Sequence, residues 1–564
     1  MNLPENESIT YNMEHQTLQI LDLLHTMQEA CAALHFAMAS EDMTQFRALL
    51  GDLDAGFSTL VSLSDGIELV GYEHLSGASQ TAQASLYQIK KLGIANQTSC
   101  LAKIEYELLP IVQGAYIAFY FFQYLREHPE KAADFFQKDK SVLFENPYVD
   151  GASEGRPYKY EVSIVVLAYN KLEYTKMCVE SLLKNIPKGL NYELILMNNG
   201  SSDGTKEYFE GVHPHKQLDV AVNGCSHDAI YRIVEGEFTL FISNDVIVTP
   251  HAIENMLICI RSDPKIAWVV PTTPNVSNLQ TIPAQYSTQE ELFQFAQQNN
   301  RSDSSRWEQR TRLCNPIDLR RNSVFYGAGG LYLSGFFYTT DPVHYDSFPD
   351  DCISLLLRRN GYKMMLAKDA YCHHFGSVTL KDEIKQQNEQ MYYQEGRQKF
   401  SKVFGVEPWG PGFCYDLVFR NRVVDEENGP VDILGINCGL GSNSLKIKEQ
   451  IKEYCHNTNC TLVNLTDDIH YIEDLRGVSD SASVITTIKE LKTSLFHRTF
   501  RYIVWEGPFL EQYKFSTLLS LCLNHLEDGG TLFIQSNSQS SKYIAREFLD
   551  REELGNGWVR IRKK

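Results

Sequence analysis

Three short segments of this chain carry side chains suited to breaking a bond to a diphosphate. Asp245 follows the apolar run 238–242 and precedes the apolar run 246–248, which sends its carboxylate out of the end of a strand. A carboxylate placed there can hold a divalent cation against a departing diphosphate. Asp350 and Asp351 adjoin one another ahead of the apolar run 353–357, at a predicted helix start. Adjacent like charges and burial raise at least one carboxyl pKa, which suits a base that takes the proton of an attacking hydroxyl. His373 and His374 close a strand-like segment, and a neutral imidazole can complete a metal shell. Each segment has a plainer alternative. An Asn-Asp pair is more often a turn or a cap, acids at a helix start complement its dipole, and a lone histidine is more often structural. Only their company within one chain favours chemistry.

These residues need a scaffold, and the pattern around them supplies one. The run 162–167 is continuously apolar and rich in β-branched residues, as in parallel strands buried on both faces. A helix-like segment follows over 173–184, then strand-like runs over 193–197 and 238–242, each ending in a polar turn. Strand, helix, strand predicts a doubly wound α/β layer whose ligands gather beyond the carboxyl ends of the strands. Upstream, residues 13–137 read as helices. Leu18, Ile20, Leu21, Leu23, Leu24, Met27, Ala30 and Leu34 recur at helical spacing, and a second such stripe runs over 101–125. Gly71-Tyr72 and the Ser/Gly/Ala stretch 76–80 are read as the connection between antiparallel helices, and 146–157 as a linker. Near Val431 a further strand feeds a glycine-rich turn ending at Gly441 and then a helix, the pattern of a second nucleotide-type fold.

The chain has 564 residues, so three or four domains are expected, at roughly one per 150 residues. Apolar residues make up 43% and charged residues 22%, an ordinary balance for a folded protein. A net charge of −19 disfavours nucleic acid and anionic lipid as partners, which need a supply of Lys and Arg. No apolar stretch reaches the roughly 18 residues of a membrane span, and the N-terminal residues show no signal-peptide pattern, so a cytoplasmic protein is expected. The 13 cysteines form no CxxC pair and are read as free thiols of a reducing compartment.

Taken in order, several motifs of the central region resemble the GT-A-fold family 2 glycosyltransferases, in particular the branch of rhamnosyltransferase-like and protein-glycosylating enzymes. They are the segments 165–170, 199–205, Asn223-Gly224, 235–245, 327–330, 350–362 and 373–377. The resemblance implies that Ala168, Tyr169, Asn170, Asn198 and Asp203 line the nucleotide pocket, with Asn223, Gly224, Asn244 and Gly329 as further nucleotide-sugar contacts. It implies that Asp245 and His374 bind Mn2+ or Mg2+, that Asp350 is the base with Asp351 as the near alternative, and that a UDP- or dTDP-sugar reacts in one displacement with inversion. The chain departs from that pattern at Asn198 and Ile247, where acids are common, at Pro349 in place of a glutamate, and at Leu356 in place of an arginine.

The C-terminal region resembles class I methyltransferases, with the glycine turn followed by strand-like runs at 460–464, 502–505 and 526–534. Gly435, Asn437 and Asn464 replace an acid, a glycine and a ribose-binding acid of that pattern. A degenerate domain is therefore read ahead of one that binds S-adenosylmethionine. The expected architecture is multidomain: a helical bundle at 1–145, a GT-A α/β domain at 158–404 and a Rossmann-like methyltransferase-type domain at 430–564. The bundle is assigned to holding a protein acceptor, of the kind of a bacterial surface or flagellar protein, ahead of homo-oligomer contacts. The competing functions are a bifunctional glycosyl- and methyltransferase, and a non-catalytic binding scaffold.

Overall fold

The computed structural model describes residues 5–64, 72–93, 96–104, 108–119, 158–219, 233–327, 349–376, 389–535 and 550–564. The N-terminal region is helical: α1 (Glu5–Ala39), α2 (Met43–Ser64), α3 (Tyr72–Leu92), α4 (Gln97–Lys103) and α5 (Leu109–Phe119). Its core joins Met27, Cys31 and Leu34 of α1 to Phe46, Leu53 and Phe57 of α2, Leu86 and Ile89 of α3, and Val112 of α5. The Ser/Gly/Ala stretch 76–80 is no connection, because it lies inside α3. Ser79, Ala82, Leu86 and Ile89 are buried at intervals of three and four, and that stripe outweighs the weak local turn composition. The stripe expected over 101–125 is divided between α4 and α5, and 120–125 lie outside the described residues, as does the expected linker 146–157.

Among the described residues of the central region, eight strands form one sheet in the order β3-β2-β1-β4-β8-β6-β9-β7. They are β1 (Tyr160–Ala168), β2 (Tyr192–Asn198), β3 (Lys216–Asp219), β4 (Gly236–Ser243), β6 (Ile266–Thr272), β7 (Trp307–Arg310), β8 (Ile317–Arg321) and β9 (Lys363–Tyr371). β1, β2, β3 and β4 run parallel, as do β6 and β9, whereas β7 and β8 are antiparallel insertions. The sheet is thus mixed, not the purely parallel layer the sequence pattern suggests. Alternation sorts the core. Ile164 and Val166 pack on one face with the helices Leu172–Asn185 and Ala252–Arg261, while Val165 packs on the other with the helix Pro349–Arg359.

A two-stranded ladder, β5 (Val246–Ile247) with β10 (His373–His374), crosses the carboxyl edge of this sheet. The C-terminal region holds a seven-stranded sheet among the described residues, in the order β13-β12-β11-β14-β15-β17-β16. Its members are β11 (Val431–Ile436), β12 (Cys460–Thr466), β13 (Ser481–Val484), β14 (Phe500–Trp505), β15 (Leu526–Gln535), β16 (Arg551–Gly555) and β17 (Trp558–Arg562). The first five run parallel and β17 is antiparallel to both its neighbours. The glycine turn before the helix Ser442–Cys455 is present as the sequence predicts, with Gly439 and Gly441 at φ 53° and 94°. The described cysteines are free thiols, and no described helix is long and apolar enough to cross a membrane.

Candidate active site

The carboxyl ends of β1, β2 and β4 lie side by side, and three polar turns leave from them. Hydrogen bonds sew these turns together. Asn170 donates its backbone N–H to Ser201 Oγ at 2.8 Å and accepts from Ser202 N at 2.9 Å, while the Asn244 amide donates to Asn170 O and to Thr175 Oγ1 at 3.0 and 2.9 Å. Asp203 accepts from Leu172 N at 2.8 Å and from Thr205 Oγ1 at 2.6 Å. It thereby caps the start of the helix Leu172–Asn185 from a distant turn, since Lys171 at that helix start has no side-chain cap of its own. Asn170 and Lys171 are consecutive left-handed residues at φ 53° and 61°, a costly conformation held by this network.

The residues expected at a nucleotide thus form the frame of the sheet edge. Ala168 is buried, Tyr169 is half-buried, and Asn198 is tied on both sides, accepting from Ser201 N and donating to Asp219 Oδ1 at 3.0 Å. Asp219, at the end of β3, stands against the asparagine that replaces an acid, a pairing that sequence spacing does not reveal. Asn223, Gly224 and Gly329 lie outside the described residues.

Asp245 follows β4, and its backbone carbonyl accepts from Phe375 N at 3.0 Å. The register His374↔Val246 of the small ladder then brings His374 Nε2 to 3.4 Å from Asp245 Oδ2, with both residues only 6% exposed. The two histidines face opposite surroundings, as successive strand residues must. His373 Nδ1 is hydrogen-bonded to the Tyr286 hydroxyl at 2.6 Å in an aromatic cluster, and burial lowers its pKa. His374 faces the carboxylate. One imidazole and one carboxylate at this separation match two adjacent ligands of a cation bound at about 2.1 Å, which would sit about 3 Å apart. Among the described residues no group of three or more His, Cys, Asp and Glu side chains could hold a metal ion, and Asp245 and His374 are two candidate donors. Such an open set suits an Mg2+- or Mn2+-type ion completed by substrate oxygens rather than a closed structural site.

Asp350 and Asp351 open the helix Pro349–Arg359, and that helix leads into β9, which lies between β6 and the edge strand β7. The helix start therefore lies at the carboxyl edge, the same edge as Asp245 and His374. Asp351 is buried, and both of its oxygens accept from Arg312, at 2.6 and 3.0 Å. Burial works against the Arg312 charge, and the Asp351 carboxylate beside it offsets that cost, with the Cys314 sulfur accepting a further hydrogen bond. Asp350 makes no such pair among the described residues and is half-buried. Desolvation pushes its pKa up to about 7; Arg312 and Arg320 oppose the rise, and Asp351 and Asp318 add to it. A carboxyl poised near neutrality can exchange a proton with a hydroxyl nucleophile. Sequence reasoning missed Arg312, Asp318 and Arg320. The last two form a buried pair at 2.6 Å, and Arg320 also lies 4.1 Å over the Phe241 ring.

Residues 163–308, within the central α/β region, match the family model described as glycosyl transferase family 2. Three solved structures are similar to parts of it. One is the crystal structure of GalNAc-T7 with UDP, GalNAc and Mn2+, at 12% identity over 42% of this chain and 50% of that one, with a TM-score of 0.30. Another is the mannosyltransferase PcManGT from Pyrobaculum calidifontis in complex with GDP-Man and Mn2+, at 13% identity over 52% and 75%, with a TM-score of 0.28. The third is TarS of S. aureus, at 15% identity over 44% of each chain, with a TM-score of 0.28. The chain spans about half the length of the first of these. No curated protein matches.

Proposed function

We propose that this protein transfers a sugar from a nucleoside diphosphate donor to a hydroxyl acceptor, with Asp350 as the base and Asp245 and His374 as ligands of a divalent cation. The observation that carries this reading is the convergence of Asp245 and His374 at 3.4 Å on the sheet edge shared with the Asp350 helix start. The cation, when bound, would neutralise charge developing on the leaving diphosphate. Asp350 takes the proton of the acceptor hydroxyl as its oxygen bonds to the anomeric carbon. The carbon–oxygen bond to the diphosphate breaks on the opposite side, its electron pair leaves with the nucleoside diphosphate, and the configuration inverts. Asp351 is read as support for Asp350, because Arg312 occupies both its oxygens.

For the donor we infer a UDP- or dTDP-sugar, and for the acceptor a protein held by the helical bundle. The C-terminal strand order, with its one antiparallel hairpin, supports a methyltransferase-type architecture, and the contacts at its glycine turn support the degenerate form. A thermal-shift screen of nucleotide sugars with and without Mn2+ tests the main reading, since a ligand of the native state raises its melting temperature by mass action. Stabilisation by one donor class only with Mn2+ is the expected result. No shift with any donor, combined with no donor turnover, overturns it.

A further inference from the structure

The helix Pro349–Arg359, whose first turn carries Asp350, ends against the C-terminal region. Its last turn carries Arg358 and Arg359, and both grip one carboxylate, that of Asp474. Arg358 donates to Asp474 Oδ1 through Nε and Nη2 at 2.8 and 2.5 Å, and Arg359 donates to Oδ2 at 3.0 and 2.8 Å. The Asp474 side chain is fully buried; desolvation alone would raise its pKa, but the two guanidiniums reverse that and hold it below the usual carboxylate range. Asp474 lies in the helix Ile472–Val478, which packs on the Pro349–Arg359 helix through Gly477. A Cβ on Gly477 would stand 2.0 Å from Arg358 O, so nothing larger than glycine permits this approach.

The other end of the helix is fixed through the same junction. Arg312, which grips Asp351, follows Thr311; the Thr311 carbonyl accepts from Arg358, and its hydroxyl bonds to Ser442 and to Phe413 O. One apolar core crosses the boundary as well, joining Cys352, Leu355 and Leu356 to Trp409, Leu440 and Tyr471. Charges bridge it as well, the buried Glu308 bonded to Lys446 at 2.7 Å and the half-buried Lys368 to Glu453 at 2.6 Å.

The C-terminal glycine turn is itself occupied. Leu440 N donates to Pro411 O at 2.9 Å and Ser442 N to Gly412 O at 3.2 Å. These are the N–H groups that such a turn offers to a phosphate or nucleotide. The segment is pressed so closely that a Cβ on Gly412 would stand 2.1 Å from Cys438 O, and one on Gly439 would stand 2.0 Å from Pro411 O.

We propose that the C-terminal sheet domain serves as a brace that positions the Asp350 helix, with Asp474 as the positioning residue and the chain's own residues 411–412 in place of a nucleotide on its glycine turn. The inference rests on the reading of Asp350 as the base of sugar transfer. Reacting groups tolerate little displacement, and about 1 Å of misplacement costs on the order of a hundredfold in rate. A helix anchored at its far end by two bidentate arginines keeps its first turn from sliding along the sheet.

Asp474→Asn tests this in the full chain, with Arg359→Gln as a milder variant that leaves the Arg358–Asp474 pair in place. Three readouts apply: kcat with saturating substrates, the affinity for the donor nucleotide with Mn2+, and amide hydrogen exchange over residues 352–358. In Asp474→Asn the expected result is kcat reduced by about tenfold or more, nucleotide affinity within about twofold, and faster exchange confined to that helix. Arg359→Gln should show the same pattern at smaller size. Unchanged exchange overturns the brace, as does an unchanged kcat, or a loss of nucleotide affinity as large as that of kcat. Should the unmodified protein transfer no sugar, the functional reading fails by itself, and the exchange measurement alone decides the brace.

Discussion

The two large sheets of this protein present their carboxyl edges in the same way and use them differently. At the central edge stand Asp245, His374 and the helix start that carries Asp350, and the first two are 3.4 Å apart. At the C-terminal edge the corresponding groups are already taken by the chain. Leu440 N and Ser442 N are bonded to Pro411 and Gly412. Asp467, the acid beyond β12, accepts from the Asn437 amide and from Leu510 N, both at 2.6 Å. Asn464 is buried, and its Oδ1 accepts from Ser444 Oγ at 3.0 Å. The same strand-turn-helix architecture thus ends in a buried acid–imidazole pair on one sheet and in a turn bonded to the chain's own segment 411–412 on the other. A buried donor that has a protein partner gains little by exchanging it for a ligand.

The comparison breaks most readily at Asp350. Asp350→Asn should lower kcat by roughly two to four orders of magnitude, a general base's usual share, and leave donor affinity nearly intact; transfer at the unmodified rate would remove Asp350 from the mechanism. The same substitution should raise the melting temperature at pH 8. The native carboxyl binds its proton more tightly than the unfolded one, so stability is lost as pH rises from about 4 to about 7, and a neutral amide escapes that loss. Next in size, Asp245→Asn and His374→Ala should each weaken Mn2+-dependent nucleotide binding by about tenfold or more while metal-free binding stays the same. Equal loss with and without the metal would assign them to the frame instead.

A smaller effect concerns pH. kcat should climb through about pH 7 as Asp350 ionises, its midpoint raised chiefly by burial and adjusted by Arg312, Arg320, Asp351 and Asp318, and a flat profile from pH 5.5 to 8.5 would count against a base of this pKa. Smallest of all, calorimetric titration of S-adenosylmethionine into the full chain should release no binding heat. Saturable heat would mean that the 411–412 segment gives way and that the second edge is a site after all.

Much of the site's frame was legible in the sequence. The continuous apolar runs gave β1, β2 and β4, their polar endings gave the turns, and the two acids ahead of an apolar run marked the start of the Pro349–Arg359 helix. β7 and β8 were not legible, because Glu308, Arg310, Asp318 and Arg320 make them look like surface segments although all four are buried. A buried charge is tolerated only beside its partner, and for Glu308 that includes Lys446 in the other sheet domain. The stretch 76–80 has a turn-like local composition yet lies inside α3, a helix that packs against α2 and α5.

The sequence by itself determined where strands end and which polar residues stand there, since periodicity and turn chemistry act over a few neighbouring residues. Only the tertiary structure decided that Tyr286 takes His373, that Arg312 claims Asp351, and that Asp474 ties the helix to the C-terminal domain. Those pairings join residues far apart in the chain, and the burial that gives them their energy exists only once both sheets are in place.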